Sequence, residues 1–203
     1  MTDCSRRRVD VRRKDAVFDG YFRVDRYALT HALHDGGQSA ELVREVFERG
    51  HVAALLPVDP WRREVVLIEQ FRPGAMAAGW DPWLLECVAG IIEAGEEPEG
   101  VAVRECQEET GLATDRVELL CKYLTSPGAC SETVHLFAGR VDASAAGGTH
   151  GLASEGEDIR VQPFSIDEVL GRLRDGAIVN SKTIIALQWL EMHMDALIAR
   201  WTE

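Results

Sequence analysis

The sequence lacks the patterns that mark several common classes of protein. Its five cysteines form no C-x-x-C pair, so neither a disulfide framework nor a zinc site is predicted. The histidines show no H-E-x-x-H spacing and no G-x-S-x-G occurs, which argues against a zinc protease and against a serine hydrolase. No apolar stretch is long enough to cross a bilayer, so no membrane partner is expected.

Positive charge is also scarce. The chain has 22 lysines and arginines against 34 acidic residues, a formal net charge of -12, which disfavours nonspecific binding to nucleic acid. The basic residues that gather near the start are interpreted as a solvated, mobile tail rather than a nucleic-acid arm. They are Arg6, Arg7, Arg8, Arg12, Arg13 and Lys14. An anionic substrate would therefore require local charge reversal by cations or by a few arginines.

The N-terminal segment is basic but is followed by no apolar region of the kind found in secretory signals. We therefore expect a cytoplasmic protein. A length of 203 residues predicts one main domain, with room for a small appendage.

Strand signals outnumber helix signals. Alternating or apolar runs cover residues 17–29, 51–59, 64–71, 84–88, 116–124, 133–141 and 159–164. Three helices are predicted: residues 97–110, ended by Gly111; a second that opens with a capping box from Ser165 to Glu168; and a last one over residues 181–201. Regular strand-helix alternation is missing, so the pattern predicts an α+β fold or a mixed-sheet sandwich.

The helix over residues 97–110 carries an unusual concentration of acid. At 100° per residue, Glu105, Glu108 and Glu109 share one arc beside the apolar side of the helix. Like charges three or four residues apart cost a helix about 0.2 to 0.5 kcal/mol per pair, so something must compensate. Most acidic helix faces are simply solvated. Here the glutamates border the apolar stripe and follow a glycine-rich loop, a pattern that favours a platform for Mg²⁺ and a phosphate substrate.

The residues around this helix resemble the signature of the Nudix hydrolases, G-x5-E-x7-R-E-U-x-E-E-x-G-U. Gly90, Glu96 and the run from Arg104 to Leu112 match it. Cys106 replaces the usual aliphatic residue and should behave as a small buried hydrophobe. The resemblance implies a Nudix-type α/β/α sandwich around a mixed β-sheet, with an N-terminal β-strand region, and cleavage of a nucleoside diphosphate linked to another group.

The same resemblance assigns roles within the signature. Glu105 and Glu109, with the backbone carbonyl of Ala89, are implied as ligands of Mg²⁺, with Mn²⁺ as a substitute and two or three ions per site. Glu108 is implied as a closely placed helper. Arg104 and Glu96 are implied as a structural pair that holds the loop to the helix.

Outside the signature, the chain is similar to the ADP-ribose pyrophosphatases of this family. The similarity rests on "FERGHVAALLP", "VLIEQFRPG", "TSPGACSE", "HGLASEGEDIRV" and "IALQWL", and on Pro127, fifteen residues beyond Leu112. It implies a homodimer, with residues 1–48 as a tail and dimer-forming strands and residues 49–203 as the Nudix hydrolase domain.

Residues 142–158 form a long segment rich in glycine, alanine and serine that ends in acidic residues. It could be a surface connection, but loops of this length in compact domains are often functional lids. The resemblance implies that Glu155 is the general base and that Glu157 is a further metal ligand. Glu108 lies on the same helical arc as the metal ligands and is the competing candidate for the base.

Five residues are candidates for substrate binding. Arg72, at the end of an apolar strand, is the candidate phosphate clamp, because a guanidinium binds phosphate oxygens bidentately. Ser126 and Glu132 are candidates for the terminal ribose, and Tyr21 and Arg44 for the adenine. Ordinary turn, core or surface roles are open alternatives for all five.

The sequence thus predicts Mg²⁺-dependent hydrolysis of the pyrophosphate of ADP-ribose to AMP and ribose 5-phosphate. Two alternatives remain: a Nudix hydrolase of another nucleoside diphosphate sugar such as GDP-mannose, and a noncatalytic ADP-ribose sensor. A calcium-binding structural protein is disfavoured because the EF-hand ligand pattern is missing.

Overall fold

The computed structural model describes residues 8–152, 154 and 156–203. The chain divides into two compact units. The smaller unit ends at His51 and also includes Leu124–Thr133, and the larger unit comprises Val52–Tyr123 and Val134–Glu203.

The smaller unit contains a three-stranded antiparallel sheet in the order β1-β2-β3. Its strands are β1 (Val9–Asp19), β2 (Arg23–His31) and β3 (Leu42–Glu48). The prediction of a mobile basic tail is wrong for residues 9–14, which belong to β1; Arg6 and Arg7 lie outside the described residues. The predicted strand run over residues 17–29 is likewise divided by a turn after Asp19.

Paired charges explain why the basic segment is ordered. Asp25 of β2 is 1% exposed, and its carboxylate binds both Lys14 Nζ and Arg23 Nη2 at 2.9 Å. A carboxylate buried without partners would be costly, so the partly exposed Lys14 of β1 stabilises the sheet by pairing with Asp25. This partner is distant in sequence, and for that reason a local charge count misses it.

The larger unit is built on an eight-stranded mixed sheet. Its strands are β4 (His51–Asp59), β5 (Glu64–Phe71), β6 (Trp83–Glu86), β7 (Val88–Ile92), β8 (Arg116–Leu124), β9 (Thr133–Arg140), β10 (Thr149–His150) and β11 (Ile159–Ser165). The main path runs β10-β11-β5-β4-β9-β8, while β6 pairs with β5 and β7 pairs with β4. The β4–β9 pair is parallel and the β5–β11 pair is antiparallel, so the predicted mixed sheet is confirmed.

Both faces of this sheet are covered by helices. In β4, Leu56 packs in the core formed with α3 (Ile166–Arg174) and α4 (Ser181–Thr202), and the adjacent Leu55 packs in the core formed with α2 (Pro98–Thr110). A strand buried on both faces reads as a continuous apolar run, as residues 52–58 do. The predicted α/β/α sandwich is confirmed.

The three predicted helices are all present, and their ends follow local chemistry. Gly111 ends α2 in the left-handed conformation, with φ of 72°, and donates to Gln107. Ser165 Oγ accepts from Glu168 N at the start of α3. A fourth helix, α1 (Pro73–Ala77), lies where only a loop was expected. Within the described residues, no helix combines the length and apolarity needed to cross a membrane.

Candidate active site

Helix α2 presents its glutamates at the margin of the core, as the sequence predicts. Val101, Ala102 and Cys106 are at most 1% exposed and pack beneath the sheet. Glu109 is also buried, at 2% exposed, whereas Glu105 is half-buried. The acidic arc is therefore partly withdrawn from water rather than solvated.

Gly90 of β7 provides the space in which Glu105 lies. A Cβ built on Gly90 would meet the Oε1 of Glu105 at 1.9 Å and its Cδ at 2.1 Å, far inside contact distance. The glycine of the sequence signature therefore allows this carboxylate to approach the backbone of β7 closely.

Glu109 is tied to the same strand. Its Oε2 accepts a hydrogen bond from the Ala89 backbone N–H at 3.0 Å. Burial raises the pKa of Glu109 to about 8; the Ala89 hydrogen bond opposes this effect, and the nearby charges of Glu105 and Glu157 add to it. Burial also raises the pKa of Glu105. Burial thus disfavours the charged form of both carboxylates, and the Ala89 N–H and Arg104 offset this effect only in part.

Arg104 connects the glycine-rich loop to the helix. Its guanidinium lies 3.6 Å from Glu96, 2.8 Å from Glu105 and 3.0 Å from Glu108. Glu96 in turn accepts from the Glu93 backbone N–H at 2.8 Å, which closes the loop. The structure thus contains the expected Arg104–Glu96 pair and adds contacts from Arg104 to the two glutamates of the helix.

The described part of residues 142–158 is not a bare loop. It contains a 3-10 turn at Ala143–Ala145 and the short strand β10, and His150 packs against Gly111 at the end of α2. Glu157 Oε2 accepts from Leu152 N at 3.0 Å. Since the charge of Glu157 raises the pKa of both Glu105 and Glu109, the three carboxylates lie within electrostatic reach. Glu155 lies outside the described residues.

Arg72 is not an isolated strand-end arginine. Its Nε and Nη2 bind the two carboxylate oxygens of Glu86 at 3.0 and 2.9 Å, and Lys182 Nζ lies 3.4 Å from the same carboxylate. Glu86 is completely buried. Burial lowers the pKa of Arg72, but Glu86, Glu109 and Glu157 together hold it above its ordinary value, which places Arg72 beside the acidic cluster.

Sequence reasoning missed Glu86 and Lys182. The sequence does contain evidence for Glu86, because it is an acidic residue within the apolar run "LLECV". An acidic residue that is buried in a strand must be paired with a cation or hydrogen-bond donor. Lys182 gave no such signal, since it begins a helix almost a hundred residues away and its proximity follows only from the fold.

The other four substrate candidates belong to the smaller unit. Tyr21 is 88% exposed and packs edge-on against Phe22. Arg44 is exposed on β3, and the Ser126 carbonyl accepts from Cys130 N in a turn. Glu132 is 6% exposed and pairs with Arg49 at 3.0 Å. Their roles in substrate binding stay predictions.

The donor set fits a hard divalent cation. Three carboxylates in electrostatic contact, one of them lying over a glycine, match the oxygen ligands that Mg²⁺ prefers. Within the described ranges, no three His, Cys, Asp or Glu side chains are already placed so that they could hold one metal ion together. Each carboxylate instead accepts from a protein donor, namely Ala89, Leu152 or Arg104. A cation would exchange with these donors.

The raised pKa of Glu109 predicts that cation binding releases a proton. With a pKa of about 8, Glu109 is mostly protonated at pH 7 and must ionise to serve as a ligand. We expect release of about one proton per site at pH 7 and almost none at pH 9.5, measured by titrating Mg²⁺ calorimetrically in buffers of different ionisation enthalpy. Glu109→Gln should abolish the release, and equal heats in all buffers at pH 7 would contradict it.

The raised pKa of Glu109 also affects the stability of the folded protein when no cation is added. A carboxyl whose folded pKa lies above its ordinary 4.5 stabilises the fold fully below pH 4.5, and this contribution is lost as pH rises through about 8. Added Mg²⁺ should therefore raise Tm more at pH 8 than at pH 6.

Comparison with known proteins places these observations in a family. The model of the NUDIX domain matches residues 49–187. The chain is 47% identical over 193 residues to the ADP-ribose pyrophosphatase of Escherichia coli (strain K12), covering 95% of this chain and 92% of that protein. It is 33% identical over 182 residues to the GDP-mannose pyrophosphatase of Yersinia enterocolitica, covering 89% and 94%. A crystal structure described as an ADP compounds hydrolase superposes with a TM-score of 0.71 at 17% identity, covering 94% of this chain and 96% of that one.

Proposed function

The chain belongs to the NUDIX domain family, and we propose that it hydrolyses the pyrophosphate of ADP-ribose to AMP and ribose 5-phosphate. The higher identity to an ADP-ribose pyrophosphatase, 47% against 33% for a GDP-mannose pyrophosphatase, supports this substrate. The observation that best supports a hydrolytic site, apart from similarity, is that Glu105 lies over Gly90 beside the buried Glu109.

The enzyme depends on a divalent cation, which we propose to be Mg²⁺, with Mn²⁺ as a substitute and two or three ions per site. Glu105, Glu109 and Glu157, with the backbone carbonyl of Ala89, would hold the ions. When bound, such cations lower the pKa of a coordinated water and offset negative charge on phosphoryl oxygens. Burial of Glu109 excludes competing water from one side of the site.

The remaining residues bind substrate and move one proton. We propose that Glu155 accepts the proton of the attacking water, and that Glu108 is the alternative base. Arg72 contacts the pyrophosphate, Ser126 and Glu132 the terminal ribose, and Tyr21 and Arg44 the adenine. Arg72 is the best supported of the five, because it lies in the electrostatic field of Glu109 and Glu157.

A cytoplasmic homodimer is part of the proposal. In the smaller unit β1 is an edge strand, and it exposes Val9, Val11 and Phe18 to more than half of their full extent. An edge strand with exposed apolar residues is a natural surface for pairing with a second copy.

The proposed activity is tested by a panel of nucleoside diphosphate compounds. Purified enzyme is incubated with Mg²⁺ and ADP-ribose, ADP-glucose, GDP-mannose or NADH, and monophosphate products are measured after coupling to a phosphatase. We expect kcat/KM for ADP-ribose to exceed that for GDP-mannose by at least about 10-fold, the difference that the net contribution of one hydrogen bond, about 1.4 kcal/mol, produces. Glu168→Gln, on the exposed face of α3, serves as a control.

Each alternative function predicts a different result from the panel. Preference for GDP-mannose would place the chain with the other group of relatives. Binding of ADP-ribose without turnover of any compound would identify a sensor, and it would contradict the hydrolytic proposal.

A further inference from the structure

We propose that Glu86 and Lys182 are positioning residues that aim the guanidinium of Arg72 at the pyrophosphate. The inference rests on the proposed function and on the role proposed there for Arg72. It concerns two residues that do not belong to the sequence signature.

In the Arg72–Glu86 pair, Glu86 occupies one edge of the guanidinium and leaves the other edge open to a substrate. Glu86 takes the Nε–H and one Nη2–H, at 3.0 and 2.9 Å. Nη1 and the second hydrogen of Nη2 have no hydrogen-bond acceptor among the described residues. One hydrogen of Nη1 and this hydrogen of Nη2 form a second planar fork, which matches two oxygens of a phosphate. Glu86 therefore fixes the guanidinium plane while leaving a bidentate phosphate-binding edge unused.

Lys182 sets the charge of the cluster. Glu86 is 0% exposed, and a buried Arg72–Glu86 pair alone would be neutral and would attract an anion only weakly. Lys182, whose side chain is 15% exposed, shares the Oε2 of Glu86 with Arg72. One carboxylate between two cations leaves one net positive charge in a region of low dielectric, beside a site that must receive a pyrophosphate.

The fold holds this cluster rigidly. Arg72 follows β5, Glu86 ends the antiparallel partner strand β6, and Arg72 N donates to the Pro82 carbonyl at 2.7 Å. The start of α4 is fastened to the same place, because Thr183 Oγ1 accepts from Cys87 N at 2.9 Å. Since three elements converge on one carboxylate, Arg72 has little freedom to turn away, and pre-organised donors lose less entropy on binding.

A double-mutant cycle separates positioning from a general structural role. Glu86→Gln keeps the shape of the side chain but removes its charge. We expect kcat/KM for ADP-ribose to fall about 10-fold, and the Kd of the non-hydrolysable α,β-methylene analogue to rise by a similar factor, as for loss of one charge-assisted hydrogen bond. In an Arg72→Ala background, Glu86→Gln should have no further effect on either quantity.

The control is Glu118→Gln, which removes a carboxylate that accepts from Arg200 Nη2 near the end of α4. It should leave both quantities unchanged. If Glu86→Gln fails to fold, Glu86→Asp replaces it in the same cycle with the same expectation, because it keeps the charge but withdraws the carboxylate from Arg72.

The outcomes distinguish the inference from the proposed function. Two results would overturn the positioning role: losses that add in the double variant, or an Arg72→Ala enzyme that binds the analogue as tightly as the parent. In either case the proposed function stands as long as the parent enzyme hydrolyses ADP-ribose. A parent enzyme without turnover of ADP-ribose overturns both.

Discussion

Replacement of Glu155 by glutamine is expected to lower kcat for ADP-ribose about 10³-fold with little change in KM, because a general base acts in the transition state and contributes 10²- to 10⁴-fold. Glutamine has nearly the same size and still accepts a hydrogen bond, so substrate binding should persist. The measurement is steady-state turnover at saturating Mg²⁺, with binding of the non-hydrolysable analogue as a check that the site is intact.

The matched comparison is Glu108→Gln, which tests the competing assignment. Glu108 lies on α2 with its Oε2 bound to Arg104 Nη1 at 3.0 Å, so its carboxylate already has a cationic partner within the helix. We expect this variant to lose less than about 10-fold in kcat, because loss of its ion pair with Arg104 costs the helix only about 0.2 to 0.5 kcal/mol. The reverse ranking would make Glu108 the base, and near-full turnover by Glu155→Gln would remove Glu155 from the mechanism.

The sequence predicts the parts of the structure that depend on residues close together in the chain. Gly111 ends α2 because only a residue tolerant of a left-handed conformation ends a helix this way, and Ser165 starts α3 through a bond three residues away. The acidic arc is equally local, because helical periodicity alone places Glu105 and Glu109 on one side. Local rules therefore suffice to locate α2, α3 and the acidic arc on α2.

The parts that escape prediction depend on partners distant in the chain. Lys14 is ordered in β1 by Asp25, and Arg72 is oriented by Glu86 and Lys182, pairs that no spacing rule connects. Burial decides these cases, since a carboxylate inside the fold demands a cation while the same residue at the surface does not. The substrate preference is hidden for a related reason, because the residues proposed to contact the ribose and the adenine lie far from the signature in the chain.

Gly90→Ala is expected to inactivate the enzyme by displacing Glu105. The added methyl carbon would lie 1.9 Å from Oε1 of Glu105, and Gly90 is not among the residues in the left-handed region, so the clash is steric and not conformational. Moving a ligand carboxylate by about 1 Å can cost about 10²-fold in turnover, and we expect at least this loss in kcat, together with weaker Mg²⁺ binding by calorimetry.

The control for Gly90→Ala is Gly100→Ala, in the first turn of α2. A Cβ at Gly100 meets no atom within 4 Å, and alanine favours a helix over glycine by about 1 kcal/mol, so Tm should rise slightly and kcat should not change. The steric cause is checked by Glu105→Ala in the Gly90→Ala background: Tm should return toward that of Glu105→Ala alone while activity stays lost. If Gly90→Ala keeps full turnover, the close approach of Glu105 to β7 does not shape the catalytic site.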